Sequence, residues 1–166
     1  LSHPIAGSEK SGFLNSNEGL FKDKISIISK HKGLATSTLK KCKELWFELG
    51  SKTHNLDPKL HDKIFSLTSH LPHVVAFSLI SLLSKRKTSE YKKFIGGGLK
   101  DFTRIAESDP KMWENIFSLN KNNLLKDISD IEKEINKIKT FILKEDGSKL
   151  EGHLKKIKKT KESLNR

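Results

Sequence analysis

The sequence predicts a mainly α protein, a helical domain preceded by the last strand and helix of an α/β domain, and three observations carry that prediction. A β-branched run, Lys24-Ile25-Ser26-Ile27-Ile28-Ser29, precedes one amphipathic stretch, and one strand with one helix cannot close a core alone. From Asp57 onward the chain turns helical, with aspartate-proline pairs at 57–58 and 109–110. Leu124, Ile128, Ile131, Ile135, Ile138 and Ile142 then succeed one another at spacings of four, three, four, three and four residues. The expected domains are residues 1–56, the remnant of an α/β domain, and 57–166, a helical domain.

Taken in order, Pro4, Gly7 and Gly12 punctuate an opening loop that holds His3. Lys24–Ser29 reads as a short strand. Leu39, Leu45, Trp46 and Leu49 give Thr38–Leu49 a helical apolar spacing, and Gly50 is the expected stop. Asp57 is a good N-cap, with Pro58 at the first helical position. The apolar stretch after it runs to Leu83, and Pro72 is expected to kink or split it. Lys85–Glu90 is a polar connection, and Asp101 or Thr103 is the expected cap of a helix carrying Arg104. Asp109-Pro110 starts a long helix that bears the isoleucine stripe and ends at Asp146-Gly147. Lys149–Leu164 is a weaker, very basic terminal helix. The stripe suits either a core-facing helix or an interface between subunits, and its length in so small a domain favours the interface.

Composition narrows the class. With 34% hydrophobic and 31% charged residues, and Ile, Leu and Phe recurring throughout, the chain is polar but not of disordered type. The longest apolar run, around Val74–Leu83, is broken by serines and short of a membrane span, so no membrane partner is expected. A single cysteine, Cys42, leaves no internal disulfide and fits a reducing cytoplasm. A net charge of +12 raises the question of nucleic acid. Yet the lysines are spread along the chain and interleaved with acids, as in Glu132-Lys133-Glu134, without an aromatic-rich basic patch. A solvated lysine-rich surface is expected, with no nucleic-acid partner. The only methionine is Met112 and the chain opens Leu1-Ser2-His3-Pro4, so it is expected to be the interior of a longer protein.

Four features could carry chemistry. A histidine in a loop with rigid neighbours, as His3 is, can take a proton from a substrate hydroxyl, though a lone loop histidine is more often a bystander than a base. His70 and His73, three residues apart, nominally share a helical face, and His61 could join them at a metal. No HExxH-type pattern supports a metal and Pro72 distorts the face, so the expectation is no metal, one structural histidine and one that meets a polar ligand. Gly96-Gly97-Gly98 lacks the GxGxxG spacing of a dinucleotide turn, and reads either as a structural turn or as a loop that lets backbone and ligand touch. Lys100 and Arg104, one turn apart, suit an anion, and arginine can hold a carboxylate through two parallel hydrogen bonds; a surface ion pair serves equally.

Together these segments resemble one family. His3-Pro4-Ile5-Ala6-Gly7-Ser8-Glu9-Lys10-Ser11-Gly12 resembles the HPxxGxExSG segment of prephenate and arogenate dehydrogenases. Leu60-His61-Asp62 with Ser69-His70-Leu71-Pro72-His73 looks like a second signature. Gly96–Ala106, then Ser108-Asp109-Pro110 and Met112-Trp113, look like a third. The three occur in the family's order and cover roughly residues 1–145, which makes them far more specific than any one feature.

Such enzymes oxidise a ring hydroxyl by hydride transfer to NAD or NADP and lose the ring carboxylate as carbon dioxide. The resemblance implies that residues 1–56 finish a truncated Rossmann-type nucleotide-binding domain and that 57–166 form a substrate-binding and dimerisation domain, giving a homodimer. It implies that His3 is the catalytic base and Arg104 the carboxylate ligand. His73, Lys100, Gly97 and Trp113 would join the substrate site, and Ser8 and Glu9 would lie near the cofactor. The pyrophosphate-binding turn is expected before Leu1, so this chain alone should bind NAD poorly. The function implied is prephenate dehydrogenase; the alternatives are arogenate dehydrogenase and a non-catalytic dimerisation module left from a split gene.

Overall fold

Ile25, Ser26, Ile27 and Ile28 form a strand because the β-branched residues suit the pleat and because both neighbours pair with it. In the computed structural model, which describes residues 1–7, 12, 14, 16–30, 33–86 and 88–165, this strand (β2) is the centre of a three-stranded sheet. β1 (Ser2–Pro4) lies antiparallel to it, with His3 opposite Ile27. β3 (Lys52–Asn55) lies parallel to it, with Ser26 opposite Thr53. The return between the parallel strands is α1 (Thr36–Glu48), the crossover that a parallel pair requires. Trp46 on α1 packs edge-on against Phe21 and donates its indole N–H to Ser2, tying the helix to β1. Gly50 ends the turn after α1 at φ +75°, a left-handed conformation that strains any side chain, so the expected stop is a position that favours glycine.

Two of the three strands were not anticipated. His3 belongs to β1 and not to a loop, and β3 is a polar Lys-Thr-His-Asn segment without strand-like hydrophobic alternation. Partners made both. A short segment beside a committed strand gains ladder hydrogen bonds whatever its own propensity.

Asp57 caps α2 (Pro58–Phe65) as expected, accepting from the Lys59 and Leu60 N–H groups at 2.9 and 3.1 Å. Pro72 does not split the helical run. The chain widens into a π-helical turn over Ser66–His70, in which the Leu71 N–H reaches back five residues to Ser66, and continues as α3 (Leu71–Ser84). The wide turn lies just where the proline ring would meet the Thr68 carbonyl and where its missing N–H would leave a gap in the ladder. Pro58–Ser84 is therefore one 27-residue helical run, longer than the apolar stretch picked out around Val74–Leu83. By length and composition it could cross a membrane, but it carries Lys59, Asp62, Lys63 and three histidines, and an apolar helix covered by other protein passes the same test.

After a short helix, α4 (Thr88–Tyr91), and a 3₁₀ turn, the glycine run opens α5 (Gly97–Thr103), with Gly96 as its N-cap. Arg104 lies beyond that helix, in the 3₁₀ turn Arg104–Glu107, so the expected helix capped at Asp101 or Thr103 is not formed. None of the three glycines has a positive φ, and a Cβ on any would meet open space. The long helix expected from Pro110 is two. α6 (Pro110–Leu119), capped by Asp109 at the Met112 N–H, stops at Asn120, and α7 (Lys121–Leu143) restarts beyond it. Asp146 ends the turn after α7 and caps α8 (Gly147–Leu164).

The described chain forms two compact units, Leu1–Leu124 and Leu125–Arg166. The first holds the sheet, the small apolar core of Ile27, Ile28, Leu71, Ala76, Trp113 and Leu124, and a cleft. In the second, Phe141 of α7 packs on His153 of α8 at 5.7 Å. Ile135 and Ile142 of the stripe stay 55% and 60% exposed.

Candidate functional site

The first unit contains a cleft of about 790 Å³ whose walls come from distant parts of the sequence. β1 brings His3, β2 is preceded by Lys24, α2 contributes Phe65, the π-helical turn His70, and α6 Met112 and Trp113. The side chains that reach it are mostly apolar or aromatic with a few polar groups, the composition of a small-molecule site.

The polar feature that bears on His3 is a row of three side chains. His3 Nδ1 lies 2.8 Å from His61 Nε2, and His61 Nδ1 lies 2.9 Å from Asp62 Oδ1. Phe65, one turn beyond His61, packs against both imidazoles at 4.8 and 4.6 Å. An ionised carboxylate only accepts, so His61 donates from Nδ1 and, when neutral, accepts at Nε2. His3 then donates from Nδ1, and Nε2 is left as its acceptor nitrogen. Burial, and after it the neighbouring His61, lowers the pKa of His3 below the ordinary histidine value. A neutral imidazole with a defined acceptor is what removal of a hydroxyl proton requires.

Trp113 organises the other wall. It is buried, His73 stacks on it at 3.6 Å, and His70 meets it edge-on at 6.0 Å. The two histidines do approach one feature, but not as metal ligands. His73 Nδ1 donates to the Ser69 carbonyl at 2.8 Å, while His70 Nδ1 faces the Asn120 amide at 3.2 Å. Both ring nitrogens of His61 are also engaged, which takes it out of a three-histidine set, and among the described residues no three or more His, Cys, Asp or Glu side chains are grouped to hold a metal ion. Burial lowers the pKa of both; for His70 the nearby His61 adds to it and Asp62 opposes, and for His73 the Ser69 bond opposes.

The remaining expected residues fall elsewhere. Gly97, Lys100 and Arg104 are exposed on α5 and the turn after it, and are absent from the described lining of this cleft. Ser8 and Glu9 lie outside the described residues. Three residues were missed as site components. His61, though part of a family-like segment, was given a role only as a metal ligand. Lys24, the cation among the described lining residues, was read only as part of a strand. Asn120, 8% exposed, was passed over inside an apolar run, although the Asn120-Lys121-Asn122-Asn123 cluster is a poor helix interior and was the available signal.

A nicotinamide cofactor fits no described segment of this chain. Its pyrophosphate needs a strand, a Gly-rich turn and a helix N-terminus in succession, and the glycine run at 96–98 comes after a 3₁₀ turn and an extended residue.

The family model described as "Prephenate dehydrogenase, dimerization domain" matches residues 57–156. A cyclohexadienyl dehydrogenase of Zymomonas mobilis is 31% identical over 166 residues, covering 98% of this chain and 57% of that protein. A prephenate dehydrogenase of Bacillus subtilis is 34% identical over 164 residues, covering 98% of this chain and 44% of the relative. The chain thus spans about half the length of these relatives. Among solved structures, the Aquifex aeolicus prephenate dehydrogenase in complex with hydroxyphenyl propionate and NAD+ superposes with a TM-score of 0.89 at 42% identity, over 98% of this chain and 58% of that one. Synechocystis arogenate dehydrogenase gives 0.80 at 22% identity, over 98% and 60%, a likeness of fold.

Proposed function

This chain belongs to the prephenate dehydrogenase family, and we propose that it is the substrate-side part of a prephenate dehydrogenase that works with NAD or NADP. The observation that carries this reading is His3, at the cleft wall with Nδ1 committed to His61 and Nε2 left to accept. The complex of the Aquifex aeolicus relative with hydroxyphenyl propionate and NAD+ supports it.

A nicotinamide cofactor, held by the rest of the nucleotide-binding domain, would supply the hydride acceptor. This chain supplies the proton side. The ring hydroxyl of prephenate sits against Nε2 and gives up its proton as the C–H pair departs. When the ring carboxylate leaves as carbon dioxide, its bonding pair enters the ring and reaches the oxygen. That oxygen takes the proton back as a phenol, so the base only borrows it. Trp113 and Phe65 give the ring an apolar bed. Lys24 adds a cation at the cleft, and Arg104, with Lys100, Gly97 and His73 in support, is proposed to hold a substrate carboxylate although none of the four is among the described lining residues. Residues 1–56 complete the nucleotide-binding domain, which Ser8 and Glu9 adjoin. The helical part from 57 pairs two copies in a homodimer of the cytoplasm, and the exposed isoleucines of α7 are its apolar seam.

The test is the intact protein assayed for reduced nicotinamide with prephenate and, separately, with arogenate. A higher kcat/KM on prephenate supports the reading, and a higher one on arogenate replaces the substrate. Turnover of neither makes the chain a non-catalytic dimerisation module. His3→Asn should lower kcat by about 10²–10⁴-fold, the usual contribution of a general base.

A further inference from the structure

We propose that His61, held by Asp62, is a positioning residue that fixes the tautomer of His3 and shares the proton His3 takes up. The proposal rests on the reading of His3 as the base, and its grounds are geometric. The row Asp62–His61–His3 is continuous at 2.9 and 2.8 Å, and His61 has one nitrogen in each link. Phe65 covers both rings, so the pair is not free to rotate into solvent, and the His61 side chain is only 13% exposed.

An imidazole flanked on one side by a carboxylate and on the other by an imidazole has one low-energy arrangement while all three groups hold their neutral-pH charges. His61 donates to Asp62 and accepts from His3, so the lone pair of His3 is on Nε2, toward the cleft. Without that row, a neutral His3 is free to carry its proton on Nε2 and has nothing there to accept with. This is the logic by which a carboxylate holds a catalytic histidine in its working tautomer.

The same row gives the borrowed proton somewhere to be shared. When the substrate hydroxyl proton reaches His3 Nε2, the Nδ1 proton of His3 can pass to His61 Nε2. No bond other than N–H is made or broken along the row. The positive charge then lies one residue nearer the Asp62 carboxylate, on an imidazole that still donates to it through Nδ1. The transfers reverse when the phenolic oxygen takes its proton back, so the row ends each cycle as it began. The charged and titratable groups around His3 among the described residues are His61 and Asp62 of α2, His70 of the π-helical turn and Lys24 at the start of β2.

Two measurements test this. Imidazole-labelled chain, studied by ¹⁵N NMR at a pH where His3 is neutral, should show His3 protonated on Nδ1 and bare on Nε2. His61→Phe and Asp62→Ala should move it toward the Nε2–H form, and Asp62→Glu should restore the original. Asp62 is 55% exposed, so its variants leave the fold intact even if His61→Phe does not. In the intact enzyme the same substitutions should lower kcat by about 10–100-fold with KM nearly unchanged, as expected for a group that orients a working histidine. A His3 tautomer that is Nε2–H in the unaltered chain, or that ignores Asp62→Ala, overturns the proposal whatever the activity. Failure of the functional reading looks different: the intact enzyme turns over neither substrate while the NMR tautomers still respond as described.

Discussion

Asn120→Ala should destabilise the first unit by about 2 kcal/mol, and the structure sets that figure. The Asn120 side chain donates to the Asp62 carbonyl at 2.7 Å and to His70 Nδ1 at 3.2 Å, and accepts from Asn123 at 2.8 Å. Three such bonds at about 1 kcal/mol each amount to about 3 kcal/mol. The Asp62 carbonyl keeps the Ser66 N–H, so it is not orphaned, and the Asn123 bond joins a half-exposed group that water can serve, which leaves about 2 kcal/mol. Urea denaturation at fixed protein concentration should show the loss, as should a fall in Tm of about 4–8 °C. Asn120→Asp is the sharper companion. It keeps the size and the acceptor for Asn123, but has no N–H for the Asp62 carbonyl or for His70. Near neutral pH it should cost at least as much as alanine. The new carboxylate raises the folded-state pKa of His70, so part of the loss should return below the unfolded histidine value, about 6.5, and vanish as pH rises through the raised one. An Asn120→Ala protein within about 0.5 kcal/mol of the original would refute the idea that these bonds hold the break between α6 and α7.

Three further outcomes are expected. His3, His70 and His73 all have depressed folded-state pKa values, so the unfolded chain takes up protons first; urea midpoints should fall as pH drops below the unfolded histidine value, about 6.5, and a rise there would contradict the assigned burial. Ser26 is fully buried, its hydroxyl meets Ser51 at 2.7 Å, and Ser51 donates onward to the Lys24 carbonyl at 2.9 Å. Ser51→Ala should therefore cost about 1–3 kcal/mol by orphaning Ser26, and the double Ser26→Ala, Ser51→Ala protein should lose less than the sum; strict additivity in that cycle would deny the coupling. Ile135→Lys with Ile142→Lys should leave helix content by circular dichroism intact and turn a dimer into a monomer in sedimentation, whereas an unchanged dimer would remove the stripe from the interface.

The features legible in the sequence are those that act locally. The aspartate-proline caps at 57 and 109, the stop at Gly50 and the strand core at Ile25–Ile28 each depend on a few adjacent residues, and each is where it was expected. Misplaced features answer to distant partners. β3 is a strand because β2 lies beside it, and Asn120 breaks a helix because the Asp62 carbonyl and His70 lie within reach of its amide. Pro72 was recognised as a disturbance, but whether a helix bends, breaks or widens around a proline depends on which carbonyls the surroundings can re-pair, and here Leu71 pairs with Ser66.

The candidate site divides along the same line. His3 and Trp113 stand out through their own chemistry and through the motifs around them, and both line the cleft. His61 did not stand out as their companion, because the bond that defines its part spans 58 residues and no periodicity reaches that far. A histidine-aspartate pair early in a helix is ordinary. It gains significance only when β1, drawn into the sheet by β2, carries a second imidazole to the free side of the first. The sheet that positions His3 is thus as much a part of its chemistry as the residues it touches. A substitution that loosens β1, such as loss of the Ser2 acceptor for Trp46, should weaken the His3–His61 link without altering either histidine.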